Sequence, residues 1–220
     1  MEEGCTVHGI NQYGYGLWLI VLINIVIFGL FAYSAFKPTT KRDWRTLGAF
    51  FAFIVALFSE MFGYPLTIYI LTSIFGKRYP VLDPLSHANG HLWVTLAGGS
   101  KVLYYILHPL SNILIFGGLI IITIGWKGIH SAQGELVTTG IYRFVRHPQY
   151  SGFVLMIVGF LIQWPTIVTM LMAPILLIMY TKLAKKEEKN VRAFFGERYE
   201  EYSKRVPAFI PIRRGKDKMR

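Results

Sequence analysis

The chain has 220 residues, is 53% hydrophobic with a mean hydropathy of +0.43, and carries a formal charge of +11. This is the composition of a membrane chain, and no soluble domain is needed to account for the length. A single cysteine, Cys5, excludes an intrachain disulfide framework and cysteine metal clusters. The charge does not point to nucleic acid, because 13 of the 23 Lys and Arg residues fall between Lys182 and Arg220, directly after the last apolar run. Such placement is expected of a tail lying beside an anionic leaflet.

Residues 1 to 16 contain no Lys or Arg, and the acidic start at Glu2 and Glu3 argues against a cleavable signal peptide. Leu17 to Phe36 is an apolar run long enough, at 1.5 Å per residue, to cross about 30 Å of hydrocarbon. Asn24 lies within it and is expected to face another helix. A basic loop with Lys37, Lys41, Arg42 and Arg45 around Pro38 follows. The second span is expected over about Leu47 to Phe75, with room to tilt or kink near Gly63-Tyr64-Pro65. Glu60 sits well inside it. An ionisable group at that depth is costly unless it is protonated, paired or beside a wet cavity, so it is either a functional group or a hydrogen-bonded structural one.

Residues 76 to 101 form a polar connection containing Asp83, His87, His91 and Trp93. The two histidines are spaced i, i+4, so on a helix they share a face and could bind a metal with Asp83 or Glu60. A loop that caps the membrane or shapes an entrance is the plainer reading. The third span is expected over about Val102 to Trp126, with His108-Pro109 and Asn112 inside it. These polar groups either line a cavity or satisfy backbone freed by Pro109. Lys127 to Arg146 forms a loop.

That loop ends in Gly140-Ile141-Tyr142-Arg143-Phe144-Val145-Arg146-His147-Pro148-Gln149-Tyr150. Proline suits the first turn of a helix, which places His147 at a helix mouth and Tyr150 one turn in on the same side. Unpaired N–H groups and the positive dipole end, with Arg143, Arg146 and His147 nearby, favour a carboxylate or phosphate there. Anchoring to anionic headgroups is the competing account of the two arginines.

Ser151 to Tyr180 is too long for one spanning helix and is interrupted by Gln163-Trp164-Pro165, so it reads as two helices joined by a tight turn. Pro174 is a possible kink. Pro148 to Gln163 climbs about 24 Å and Thr166 to Lys182 descends about 25 Å, so the chain returns to the level of His147. There Lys185-Lys186-Glu187-Glu188 should continue the helix beyond the membrane, letting His147, Tyr150, Glu187 and Glu188 border one pocket. The alternative is a solvated turn with Glu188 paired to Arg192 at i, i+4. Phe195, Tyr199, Tyr202 and Val206 then recur at helical spacing, as in an interfacial helix that covers a pocket or simply anchors the tail.

The expected architecture is an all-α integral membrane bundle of about five transmembrane helices, with a C-terminal helical hairpin and an interfacial C-terminal helix. It forms one domain, residues 1–126 giving the N-terminal spans and substrate side and residues 127–220 the cofactor-binding region. With the N-terminus outside and the C-terminus cytoplasmic, 20 Lys and Arg residues lie inside, leaving Lys77, Arg78 and Lys101 outside.

Four ordered motifs carry a resemblance. Leu136 to Tyr142, then Arg146-His147-Pro148-Gln149-Tyr150, then Glu187-Glu188, then Phe194 to Tyr202, resemble the integral-membrane methyltransferases of the isoprenylcysteine carboxyl methyltransferase family and its phospholipid N-methyltransferase relatives. The likeness covers roughly residues 130 to 211. It implies S-adenosyl-L-methionine bound at the cytoplasmic side by Leu136, Val137, Tyr142, His147, Pro148, Gln149, Tyr150 and Glu187 or Glu188, with Gln133 matching a further contact. It also implies methyl transfer to a lipophilic small molecule or lipidated group drawn from the membrane. The residues fit a zwitterionic cofactor, since the basic helix mouth suits its carboxylate and the acidic pair its ammonium.

Residues 1 to 126 carry no motif of a prenylcysteine site, and Leu183 stands where a substrate-contacting Arg is expected, so the likeness does not extend to the acceptor. An amine or thiol acceptor would need a base, for which Glu60, His108 and Glu187 are candidates, whereas a carboxylate needs none. The alternative is a non-enzymatic membrane transporter or metal-handling protein built on Glu60, Asp83, His87 and His91. No nucleic acid partner is expected, and the sequence does not specify an oligomeric state.

Overall fold

The computed structural model describes residues 15–75, 87–132 and 134–211, and among them every regular element is helical. The first, α1 (Trp18–Phe36), ends where Lys37 turns left-handed at φ +36° and gives its N–H to the Tyr33 carbonyl; Pro38 follows. The second, α2 (Lys41–Phe58), starts earlier than its apolar run because Thr40 and Asp43 form a capping box that satisfies the first free N–H groups.

The second span does not reach Phe75. A π turn, Ser59–Gly63, closes α2, and Tyr64 is extended before Pro65. The chain restarts as the short α3 (Leu66–Phe75). A residue before proline is pushed out of the helical region, and Pro65 has no N–H to donate, so the anticipated kink is a full break. Asn24 lies on the partly buried face of α1 with Val21, Phe28 and Ala32, and its amide donates to the Ile20 carbonyl of its own helix.

After the short α4 (Leu92–Leu96) come the long α5 (Lys101–Ser131), α6 (Pro148–Gln163), α7 (Ile167–Phe195) and α8 (Glu197–Arg205). The hairpin between α6 and α7 forms at Trp164-Pro165, with Thr166 capping α7 through Thr169. Four helices, α1, α2 with its π turn, α5 and α7, are long and apolar enough to cross a membrane. The sixteen residues of α6 reach about 24 Å, and this helix is the most enclosed of the set.

Contacts between helix ends show that these five helices alternate in direction. At one end Trp126 donates to the Ala35 carbonyl, Lys37 meets His130, and Lys186 of α7 pairs with Asp43 of α2 at 3.6 Å. At the other, the Ile167 N–H reaches the Thr67 hydroxyl and the Trp93 indole reaches the Leu161 carbonyl.

The tightest seam joins α5 to α6. On α5 the buried residues are Ser111, Ile115, Gly118, Ile122 and Gly125, spaced four and three apart, which is a continuous stripe along one face. Gly152 and Gly159 of α6 lie against it. A methyl group built on Gly152 would come within 2.6 Å of the Gly118 carbonyl oxygen, and one on Gly118 within 2.5 Å of the Gly152 oxygen. Without a hydrophobic force between helices in lipid, such close backbone approach is what gains van der Waals contact. On the other side of α6, Phe153 stacks on Phe36 and meets Phe50 edge to face, joining α6 to α1 and α2. The consequence is a rigid α6 whose N-terminus is held in one place.

Candidate active site

That N-terminus begins with a 3-10 turn, Gly140–Arg143, entered through Gly140 at φ +60°. The turn buries Tyr142, whose hydroxyl donates to the Gly125 carbonyl of α5 and accepts from the Gln149 amide at 2.8 Å. Burial pushes the Tyr142 hydroxyl well above its usual pKa, so it remains a neutral donor. His147 caps α6, and Pro148 takes the first helical position, where its missing N–H removes nothing.

Two turns of α7 face this corner. Glu188 accepts from Arg146 at 2.9 Å and from the His147 Nε2 at 3.0 Å, while Glu187 stands 3.6 Å from His147 Nδ1 and accepts from the Tyr150 hydroxyl. Burial works against a charge on His147, but its hydrogen bonds to Glu187 and Glu188 outweigh it, so the ring titrates above 6.5. The stability it contributes is fully present below 6.5 and is lost as pH rises through the elevated folded value. Raising the pH above neutrality is therefore expected to lower the melting temperature of the chain. His147→Gln should flatten that profile, and thermal scans across pH check it.

The groups surround a chamber of about 240 Å³ lined by Leu136, Val137, Tyr142, Arg146, His147, Gln149, Glu187 and Glu188, closed from the other side by Val191, Phe195, Tyr199 and Tyr202. Its loop wall, Leu136 to Tyr142, also borders an outer groove of about 450 Å³ running along Ile124, Lys127, Gly128 and Ser131. Helix α8 is set by Gly196 at φ +53°, which breaks α7 and turns Tyr199 and Tyr202 inward; the Tyr202 hydroxyl donates to the Tyr142 carbonyl at 2.6 Å.

Beyond α8 the chain folds back as a strap. The N–H groups of Arg146 and His147 donate to the carbonyls of Pro207 and Ala208, and the Ser151 hydroxyl donates to that of Phe209. Phe209 lies over the imidazole at 5.6 Å between centroids. This corrects the helix-mouth expectation in part: the N–H groups of Arg146 and His147 are taken by the protein itself, while the side chains of both residues line the chamber. The Arg146 Nε is buried and has no partner among the described residues.

Of the residues singled out from sequence, Leu136, Val137, Tyr142, His147, Gln149, Glu187 and Glu188 share the chamber. Tyr150 reaches it through Glu187, and Pro148 packs against Gly125 instead of lining it. Gln133 and Asp83 lie outside the described residues, as does the side chain of His87.

Glu60 and His108 do not join the chamber. Both lie toward the Gln163 end of α6, about 24 Å away along its axis. His108 borders Gln163 together with His91, Trp93 and Tyr104. Glu60 accepts from the Thr67 N–H at 2.8 Å, so its carboxylate caps α3 across the Pro65 break. Neither is placed to act as a base there. His91 is engaged with the Gln163 carbonyl, and no group of three metal-ligating side chains occurs among the described residues. Glu60→Ala should cost about 1–3 kcal/mol, the penalty for a buried donor left unmet. Glu60→Gln should largely restore it, and in both variants ligand binding at the chamber should be unchanged; thermal unfolding and calorimetry check the two halves.

Sequence reading missed Ile129, Glu135 and Val191 in the lining, and the strap altogether. Val191 was legible, since it lies one turn before Phe195 on the same helix face. The strap bonds through backbone carbonyls, which leave no side-chain signal.

A sequence model of the phospholipid methyltransferase family matches residues 103–198. Among curated proteins, the chain is 40% identical over 78 residues to the protein-S-isoprenylcysteine O-methyltransferase of Schizosaccharomyces pombe, covering 35% of this chain and 33% of that one. It is 37% identical over 81 residues to a probable protein-S-isoprenylcysteine O-methyltransferase of Oryza sativa subsp. indica, covering 36% and 42%. With the Homo sapiens protein-S-isoprenylcysteine O-methyltransferase it shares 34% over 107 residues, 42% of this chain and 35% of that one. The chain thus spans less than half the length of these relatives. The family match takes in nearly all of α5 together with α6 and α7, the helices around which Tyr142, His147, Glu187 and Glu188 are gathered, so over this stretch the chain is similar to the phospholipid methyltransferase family and to the protein-S-isoprenylcysteine O-methyltransferases.

Proposed function

We propose that the protein transfers a methyl group from S-adenosylmethionine to the carboxylate of a lipid-soluble acceptor, the chamber lying on the cytoplasmic side. The observation that carries this reading is the state of the two acids: Glu188 is engaged by Arg146 and His147, and Glu187 by Tyr150 and His147. His147 is in turn committed to both acids, which raise its pKa, so every acid or imidazole lining the chamber is already hydrogen-bonded or ion-paired. An acceptor that must lose a proton is poorly served, whereas a carboxylate arrives deprotonated.

The residues fit the cofactor. Arg146, with its buried unpartnered Nε, offers a charged donor for the amino-acid carboxylate. Glu187, whose side chain is 50% exposed, keeps an open edge for the ammonium. The apolar Leu136, Val137 and Phe195 suit the purine. The chamber alone lies just below the roughly 300–1,000 Å³ usual for small-molecule sites, and the groove sharing its loop wall extends it.

When bound, S-adenosylmethionine supplies an electrophilic methyl group on a sulfonium. A carboxylate oxygen would take that methyl as the carbon–sulfur bond breaks, which would give a methyl ester and a thioether with no proton for this chain to move. The work left to this chain is alignment and exclusion of water. Tyr199 and Tyr202 cover the chamber, and the α5–α6 seam fixes its floor. The relatives' names suggest a lipidated acceptor such as an isoprenylcysteine, and the apolar Ile124 beside the outer groove suits a hydrocarbon chain.

The test is calorimetry with S-adenosylhomocysteine, followed by a radiolabelled methyl-transfer screen over prenylcysteine, isoprenoid acid, phospholipid amine and thiol acceptors. Binding with a base-labile methyl ester product is expected. Absence of binding by the unaltered protein would sink the cofactor assignment, and transfer only to amines or thiols would sink the carboxylate.

A further inference from the structure

Tyr180 lies on α7 two turns before Glu187 and on the same face, about 10 Å away along the axis. Its ring is buried between Phe36, Tyr150 and Phe153, at 6.0, 5.8 and 5.7 Å between centroids. The residue is 1% exposed, and its hydroxyl has no hydrogen-bond partner among the described residues. An unmet buried hydroxyl is destabilising, and phenylalanine would fill the same space without that cost. A buried polar group left without a protein partner calls for a partner from outside the chain.

The surroundings say what kind of partner. Tyr180 stacks on Tyr150, whose own hydroxyl is spent on Glu187, so a single phenol ring separates Tyr180 from an acid that lines the chamber. Lys182, two residues on, is the first basic residue after the apolar run of α7, so Tyr180 lies near the end of that run. The next inward position, Leu183, is buried and apolar and supplies no cation. A neutral donor is what this wall offers. Of the nearby cations, Lys186 is paired with Asp43, and Arg146 is paired with Glu188 and assigned above to the cofactor's carboxylate.

Building on the methyl-transfer reading, we propose that the Tyr180 hydroxyl is the acceptor-contacting group on the membrane side of the chamber. It donates a hydrogen bond to one oxygen of the acceptor carboxylate and leaves the other to face the methyl donor. The acceptor enters by parting the aromatic wall of Phe36, Tyr150 and Phe153, and its chain stays in the apolar core.

Tyr180→Phe in the full-length protein, in nanodiscs, tests this with a prenylcysteine or isoprenoid acid acceptor. The acceptor KM is expected to rise tenfold or more. The Kd for S-adenosylhomocysteine should stay within twofold, and the melting temperature should hold or increase. Unchanged KM and kcat/KM would overturn the proposal, as would a joint loss of melting temperature and S-adenosylhomocysteine binding, which a purely structural tyrosine would give. If the unaltered protein methylates no carboxylate while still binding S-adenosylhomocysteine, the carboxylate reading and this contact fall together; if it methylates one and Tyr180→Phe matches it, only the contact falls.

Discussion

Glu188→Ala is expected to weaken S-adenosylhomocysteine binding by at least about 30-fold, the lower end of the 2–5 kcal/mol lost when one partner of a desolvated charge pair is truncated. Glu188 joins Arg146 at 2.9 Å to His147 at 3.0 Å. Without it, two cations face each other with only Glu187 between them, and the Arg146 guanidinium, left without an acid, is free to turn from the chamber. Glu188→Gln should recover part of the loss, because an amide oxygen still accepts from one of the two donors. Glu187→Ala should be milder for the fold, since this side chain is half exposed while that of Glu188 is 20% exposed. Calorimetry on the three variants, with thermal scans to confirm folding, checks the order. Equal binding by Glu188→Ala and the unaltered protein would mean that the pair does not hold the chamber together.

The second large effect is at the α5–α6 seam. Gly152→Leu should cost about 3 kcal/mol or more, at or beyond the upper end for an overpacked core. Its first carbon would lie 2.6 Å from the Gly118 backbone oxygen, which no rotamer change can move aside. The helices must separate, and Pro148, packed 3.1 Å from the position of a Gly125 methyl, would shift with them. Stability and cofactor binding should therefore fall together, unlike the Glu60 variants, which lose stability alone. At Gly48, where a methyl group meets nothing within 4 Å, Gly48→Ala should be tolerated and serves as the control. Denaturant or thermal unfolding in detergent reads both.

Some of this was legible without coordinates, for identifiable reasons. The α6–α7 hairpin followed from Trp164-Pro165 within an apolar run too long for one span, and its arm lengths then returned Glu187 and Glu188 to the level of His147. Helical spacing put Tyr199 and Tyr202 on one face of a tail helix that either covers a pocket or anchors the tail, and the structure turns both toward the chamber. Local rules sufficed because each feature depends on neighbours within a turn or two. Glu60 and His108 were misjudged as partners of the chamber because sequence marks a polar group at depth but not which end of the bundle it approaches. Glu60 sits beside a π turn and a proline break that convert it into a cap for α3.

The sequence by itself determined a basic-tailed membrane helical chain, a hairpin bringing an acidic pair back to a histidine at a helix mouth, and motifs that resemble those of the membrane methyltransferases. Only the tertiary structure decided that the N–H groups of Arg146 and His147 are taken by the Pro207–Phe209 strap, that the acidic pair is engaged by Arg146, His147 and Tyr150, and that the buried Tyr180 hydroxyl has no partner among the described residues. The physical reason is that periodicity and proline chemistry act along the chain, whereas the pairing of a carbonyl, a carboxylate or a phenol is settled by distances across it.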